Sequence, residues 1–217
     1  MGNEKGTKRG PCKKCSGRFH TYVEGEWRPC ECYFRARAQE LMARAGVAPE
    51  FRAVKLADFD TAGKTGNVNA VKLVRALAEG FKGREFPDRS VIIFGEAGTG
   101  KTMLASIIVR YALAAGLPAV IVDAERVLAI RFDQDQEFGR VEDLMAPDVL
   151  CLELGGEYQT KMTPWLITYI IGQRRHQEKF TFLVSSVAPN ELKARYGDEA
   201  HAALLGERFA KLTLQER

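Results

Sequence analysis

The chain has 217 residues, enough for one core of roughly 150 residues and a smaller appendage that could not easily fold alone. Hydrophobic residues make up 46% and charged residues 28%; no apolar run nears the roughly 18 residues that cross a bilayer, so no membrane association is expected. The opening MGNEKGTKRGPCKKC has charge with no apolar stretch behind it, so the protein reads as cytoplasmic and not secreted. The net charge of +4 is uneven: residues 1–52 hold 11 Lys+Arg against 6 Asp+Glu, leaving 21 against 22 in the remainder. Such an excess suits an acidic partner such as nucleic acid, or is an ordinary solvated face.

Four of the five cysteines lie in CKKCSGRFHTYVEGEWRPCEC, as Cys12-x2-Cys15, a spacer of 14 residues and Cys30-x-Cys32. Two close thiol pairs joined by a short hairpin can surround a Zn2+ ion, with Gly17 allowing the turn beneath the first pair. The metal also supplies the folding energy that so short a segment cannot draw from apolar burial. The pair 30/32 is tighter than the usual spacing, which leaves His20 as an alternative ligand. Phe19, Tyr22 and Trp27 alternate with Lys13, Lys14, Arg18 and Arg28. This pattern is either a small core with a solvated rim or a surface that stacks on bases and pairs with phosphates.

YFRARAQELMARAG (33–46) predicts a helix stopped by Gly46, with Pro49 beyond it. DTAGKTGNVN (60–69) reads as a polar linker before a second helix, VKLVRALAEGF. The domain reading is therefore a zinc-binding arm and helix over 1–46, a linker over 47–69 and the main domain over 70–217.

Residues 95–102, GEAGTGKT, match the phosphate-loop pattern G-x-x-x-x-G-K-[ST]. A β-branched strand, SVIIF (90–94), precedes them, and an amphipathic helix, MLASIIVRYALAAG (103–116), follows. Gly95, Gly98 and Gly100, with Glu96, Ala97 and Thr99 between them, let backbone N–H groups converge on phosphates at a helix N-terminus. Lys101 would reach the β/γ-phosphates and the Thr102 hydroxyl would ligate Mg2+. ATP is the expected ligand.

AVIVD (119–123), VLCLE (149–153) and FTFLVSS (180–186) read as further buried strands, with helices at AERVLAIRF and TPWLITYIIGQRRHQEK between them. Thr163 is the expected N-cap of the latter, with Pro164 at the first helical position. The expected fold class is α/β, a doubly wound parallel sheet of P-loop type. Cys151, inside a strand, reads as a small core residue.

The ordered set resembles the bacterial and phage helicase loaders of the DnaC and DnaI type and the related IstB transposition ATPases, all AAA+ proteins. The similarity runs through the cysteine-rich arm, APEFRAVKLADFD (48–60), GEAGTGKT, APDVLCLELGGE at the Walker B position, FLVSSVAPNEL (182–192) at sensor 1 and LLGERF (204–209). The resemblance implies an ATP-binding protein that meets a hexameric replicative helicase through its arm, contacts single-stranded DNA and helps place the helicase on it. It also implies catalytic roles for Lys101, Glu153, Ser186 at sensor 1 and Arg208 as an arginine finger acting on a neighbouring copy, hence self-association. With nine residues beyond Arg208, no helical lid is expected.

The family's Walker B strand ends on two acids; here Leu152-Glu153-Leu154 supplies one. Aligned on Leu154-Gly155, Glu153 takes the water-activating place and Leu152 the metal-side place, so Leu152→Asp would raise activity. Aligned on the strand, Glu153 is the metal-side acid and the water-activating acid is missing. Glu157 lies close in sequence. Slow or partner-dependent hydrolysis follows from either register. The competing readings are a zinc-bearing adaptor that binds ATP without hydrolysing it and an IstB-like transposition regulator.

Overall fold

A two-stranded antiparallel hairpin, β1 (His20–Val23) and β2 (Glu26–Pro29), is first among the described elements and leads straight into α1 (Glu31–Arg44). The computed structural model describes residues 12–61, 64–132 and 141–215. The N-terminal residues read as lacking a secretion signal thus lie mostly outside the described residues, as do positions 62 and 63 of the expected linker.

Helix α1 ends where predicted. Gly46 has φ +84°, and a Cβ there would stand 2.3 Å from the Ile121 carbonyl oxygen, so only glycine permits this approach. The preceding carbonyl, Ala45 O, accepts the Ile121 N–H at 2.8 Å.

The stretch expected as a linker over 47–69 is packed instead. Val47, Leu56 and Phe59 are buried in the larger core, and two short 3-10 turns, Pro49–Phe51 and Leu56–Asp58, carry the chain across it. Helix α2 (Thr65–Gly83) starts earlier than the periodic apolar residues suggest. Its first turn is polar because it is tied by hydrogen bonds: buried Asn67 donates to Asp60 O and Gln215 O and accepts the Gln215 N–H. A polar residue fixed in this way leaves no apolar period to read.

Five parallel strands follow: β3 (Ser90–Phe94), β4 (Ala119–Asp123), β5 (Val149–Leu154), β6 (Phe180–Ser185) and β7 (Phe209–Thr213), in the order β4-β5-β6-β3-β7. Strand β7 and the helix before it, α6 (Leu192–Leu205), carry no strong sequence signal; FAKLT alternates at the sheet edge with only Phe209 fully buried. Helix α3 (Lys101–Ala114) covers one face of the sheet together with α1 and α2, and α4 (Ala124–Phe132) and α5 (Met162–His176) cover the other with α6. The sheet is doubly wound, with the mouths of its strands forming a crevice at their C-terminal ends, where ligands of such folds bind. Among the described residues no helix is long and apolar enough to cross a membrane.

Thr163 is not the N-cap of α5. Lys161 holds that place, and Thr160 just before it supplies the capping hydroxyl: this accepts the N–H groups of Met162 and Thr163, while Thr163 Oγ1 accepts the Thr160 N–H at 3.1 Å. This reciprocal pair is the arrangement of a capping box, with Thr163 in its second position.

Candidate functional site

The phosphate loop sits between the end of β3 and the start of α3. Gly100 has φ +93°, and a Cβ on it would lie 2.6 Å from the Phe59 ring, so the loop needs glycine there both for its turn and for that contact. The first N–H groups of α3, which have no carbonyl partners within the helix, open onto a cleft of about 530 Å³ lined by Gly98, Gly100, Lys101, Thr102, Asp123, Glu153 and Ser186. That volume falls within the ~300–1,000 Å³ usual for small-molecule sites. Lys101 is folded back onto the loop, donating to Gly95 O and Glu96 O at 2.7 Å each. Burial lowers its pKa, with the Glu153 charge opposing that shift. Thr99 braces the loop through a 2.8 Å bond to Glu96 O.

Strand β5 settles which way Glu153 faces. Val149 and Cys151 lie on the α3 side, in the core beneath the phosphate loop, whereas Leu150, Leu152 and Leu154 belong to the opposite core. Side chains alternate along a strand, so Glu153 joins the α3 side and meets Thr102 and Lys101. Burial raises its pKa, and the Thr102 hydroxyl and the Lys101 charge partly offset that shift. Its Oε1 is buried without a hydrogen-bond partner. An orphaned carboxylate oxygen beside a threonine hydroxyl is a donor set that fits a hard cation such as Mg2+. Leu152, 1% exposed, faces away, which removes the register that put Leu152 at the metal. Leu154 stands in the place after Glu153, and Glu157 is held by Gly155 N–H, Tyr196 and Arg195.

Ser186 follows β6 and lines the same cleft, its hydroxyl 3.5 Å from Leu154 O. Arg208 does not reach the cleft. It precedes Phe209, which pairs with Ser90 at the start of β3, whereas the loop leaves the other end of that strand. Arg208 instead lines a second hollow with Asp88, Arg175 and Lys179.

In the arm, all four sulfurs of Cys12, Cys15, Cys30 and Cys32 lie within 4.8 Å of one another; the Cys12–Cys30 and Cys15–Cys32 separations are 3.8 and 3.3 Å. A tetrahedron of Zn–S bonds of ~2.3 Å has sulfurs about 3.8 Å apart, so the four thiols fit zinc. The tight 30/32 spacing has a local cause: Cys30 is the N-cap of α1, in extended conformation, and Cys32 is in the first turn. A helix start folds the two back together with one residue between them. His20 is exposed, its Nδ1 3.4 Å from Arg18 O, and stays outside the cluster. Tyr22 and Trp27 form no core: they pack edge to face on the outer hairpin, 62% and 64% exposed.

The fold is close to that of known proteins. It superposes on the crystal structure of the DnaC helicase loader with a TM-score of 0.64 at 19% identity, covering 77% of this chain and 100% of that one. DnaI gives 0.62 at 19% identity, covering 77% and 94%. The chain shares the fold of these two proteins. AMPPCP-bound DnaA from Aquifex aeolicus shares it with a TM-score of 0.58 at 21% identity, over 76% of this chain and 51% of that one. No protein-family model matches the sequence, and no curated protein does. Within this fold, the sequence had singled out the loop, Glu153, Ser186 and the cysteines, but not Asp123 on the cleft wall. Nor had it singled out the exposed aromatics Tyr158 and Trp165, the latter stacked on Tyr169 at 5.2 Å. Asp123 ends a strand and Trp165 lies in an amphipathic helix, so neither stands out without the topology.

Proposed function

We propose that this protein is an ATP-binding AAA+ helicase loader that helps place a hexameric replicative helicase on single-stranded DNA. The observation that carries the reading is the cleft in which Lys101, Thr102 and the orphaned Glu153 oxygen converge below the phosphate loop. ATP would lie along the N–H groups of Gly98 to Thr102, and Lys101 would leave its two carbonyls for the β/γ-phosphates. Thr102 and Glu153 would hold Mg2+, which would supply positive charge against the phosphates. Ser186 would sense the γ-phosphate.

The arm provides the partner surface. Tyr22 and Trp27 stand exposed on a hairpin pinned by the thiol cluster, and helix α1 rests on α3, the helix that begins with Lys101. Arg110 of α3 reaches across it, stacking over Phe34 and donating to Arg52 O. Nucleotide state and partner surface would thus be linked through one seam. Single-stranded DNA would stack on the exposed rings of Tyr158 and Trp165.

Two measurements test this. Lys101→Ala in the full chain should abolish ATP binding while leaving the fold intact, and the intact protein should co-purify with a replicative helicase whereas Tyr22→Ala/Trp27→Ala should not. Absence of helicase association by the intact protein would end the loader assignment. A second reading, an adaptor that binds ATP without hydrolysing it, is favoured by Leu154 in the second-acid place and by the engagement of Glu157. Turnover in the presence of DNA and helicase separates the two. Arg208, distant from its own cleft, would act on a neighbouring copy, so turnover per chain should rise with protein concentration and Arg208→Ala should remove that rise.

A further inference from the structure

Hydrolysis of ATP needs a group that orients the attacking water as well as groups that hold the metal. Strand β5 supplies no such group beyond Glu153. Leu152 and Leu154 face the opposite core, and Glu157 is closed off by Tyr196 Oη at 2.6 Å and Gly155 N–H at 2.7 Å. The neighbouring strand does supply one. In the β4–β5 register Asp123 pairs directly with Glu153, two positions beyond Ile121–Cys151 and so on the same face. Paired residues in adjacent strands project to the same side of a sheet, so the carboxylate enters the cleft that holds Lys101, Thr102 and Ser186. Its charge acts on Glu153, adding to the effect of burial.

Asp123 is also fixed in position. Its Oδ1 accepts the Arg126 N–H at 2.6 Å, capping helix α4, and a carboxylate so held keeps acceptor capacity on its other oxygen. The acid is exposed to the cleft and not enclosed, as a group that must meet water has to be.

We propose that Asp123 is the water-orienting acid of this ATPase, doing from β4 what a second acid on β5 would otherwise do. The assignment rests on the nucleotide-binding reading above. Water donates a hydrogen bond to the Asp123 carboxylate and its oxygen attacks the γ-phosphorus. The bond from that phosphorus to the β,γ-bridging oxygen breaks, and its electron pair leaves on ADP. The proton released by the water is accepted by Asp123 and passes on to solvent, so the products are ADP, inorganic phosphate and one proton.

The test uses the full chain. Asp123→Asn keeps the size and the helix cap, since Asn and Asp cap equally well, and removes only the charge. The expected result is ATP affinity in the presence of Mg2+ within about threefold of wild type and kcat reduced by ~10²-fold or more. Asp123→Glu should restore part of the rate, and Glu125→Gln, altering the other acid on that wall, should leave it near wild type. Turnover of Asp123→Asn within threefold of wild type would overturn the assignment. So would a loss that falls on Glu125→Gln instead, or wild-type protein that binds ATP and never turns it over with DNA and helicase present. Failure of wild type to bind ATP at all would remove the nucleotide reading and this assignment with it.

Discussion

Glu157 and Arg195 form a closed pair at the rim of the cleft. The Glu157 side chain is fully buried, Arg195 Nη2 lies 3.1 Å from its Oε1, and the same guanidinium donates to the backbone oxygens of Gly155 and Glu157. Tyr196 adds a bond of 2.6 Å to that carboxylate oxygen, and burial followed by this carboxylate raises the tyrosine's pKa. The pair therefore folds the turn after β5 and has no capacity left for water activation. Removing one member of a buried ion pair costs about 3–5 kcal/mol. Arg195 is 28% exposed, so the lower end applies, about 3 kcal/mol, or roughly 6–12 °C in melting temperature. Glu157→Gln should show that loss by thermal unfolding with ATP affinity little changed. A Glu157→Gln protein that melts like wild type but no longer turns over ATP would make Glu157 catalytic after all.

Leu152→Asp is the second case. The register that placed Leu152 beside the metal predicts a gain in activity, but Leu152 is packed in the core between the sheet and α5. An unpaired carboxylate there is expected to cost several kcal/mol. The expected outcome is poor folding or a melting point lowered by more than 10 °C on the scale of roughly 2–4 °C per kcal/mol, with no gain in turnover per folded chain. Increased turnover would restore the discarded alignment.

That reversal shows what could be read from residues alone and what could not. The phosphate loop was legible because each of its residue types answers to one requirement, and the cysteines because paired thiols are rarely spaced so by chance. Parity along β5 was not legible. In a parallel sheet covered on both sides, every position is apolar, so VLCLEL does not say which side Glu153 faces until α3 and α5 are in place. The same limit hid Asp123, whose importance comes from its register partner 30 positions away. The segment 47–60 looked like a linker because its buried residues, Val47, Leu56 and Phe59, follow no helical or strand period.

Arg174 lies in the last turn of α5 beside Arg175 and His176, where the helix dipole favours basic residues that meet solvent. It is instead 0% exposed and donates to Thr181 Oγ1 and to the backbone oxygens of Leu144, Pro147, Asp148 and Phe180. Burial lowers its pKa to about 10, so it remains charged at neutral pH and ties the segment before β5 to the start of β6. Arg174→Met removes the donor and leaves those carbonyls buried. A loss of about 3–5 kcal/mol is expected, measured by denaturant unfolding. Arg174→Lys should recover little, because one ammonium cannot reach acceptors spread over a planar fork. Wild-type stability in Arg174→Met would mean that water replaces the guanidinium.

The arm gives a prediction in pH. The N–H groups of Lys14 and Cys15 pull the Cys12 thiol down to about 7, while burial and the neighbouring sulfurs push Cys32 up to about 12. At neutral pH, therefore, one thiol is already partly thiolate, and another gives up its proton only when a cation takes its place. Zinc uptake must then release protons, and affinity must fall as pH drops through about 7, because Cys12 regains its own. Competition with a chromophoric chelator from pH 8 to 6 should show zinc affinity weakening by roughly tenfold or more per pH unit. One zinc per chain should be found in purified protein. Because Cys30 is the N-cap of α1, Cys32 lies in its first turn and α1 rests on α3, stripping the metal, or changing Cys15→Ser, should lower both helicity and melting temperature. A flat affinity profile, or melting that ignores the chelator, would separate the thiol cluster from metal and the arm from the core.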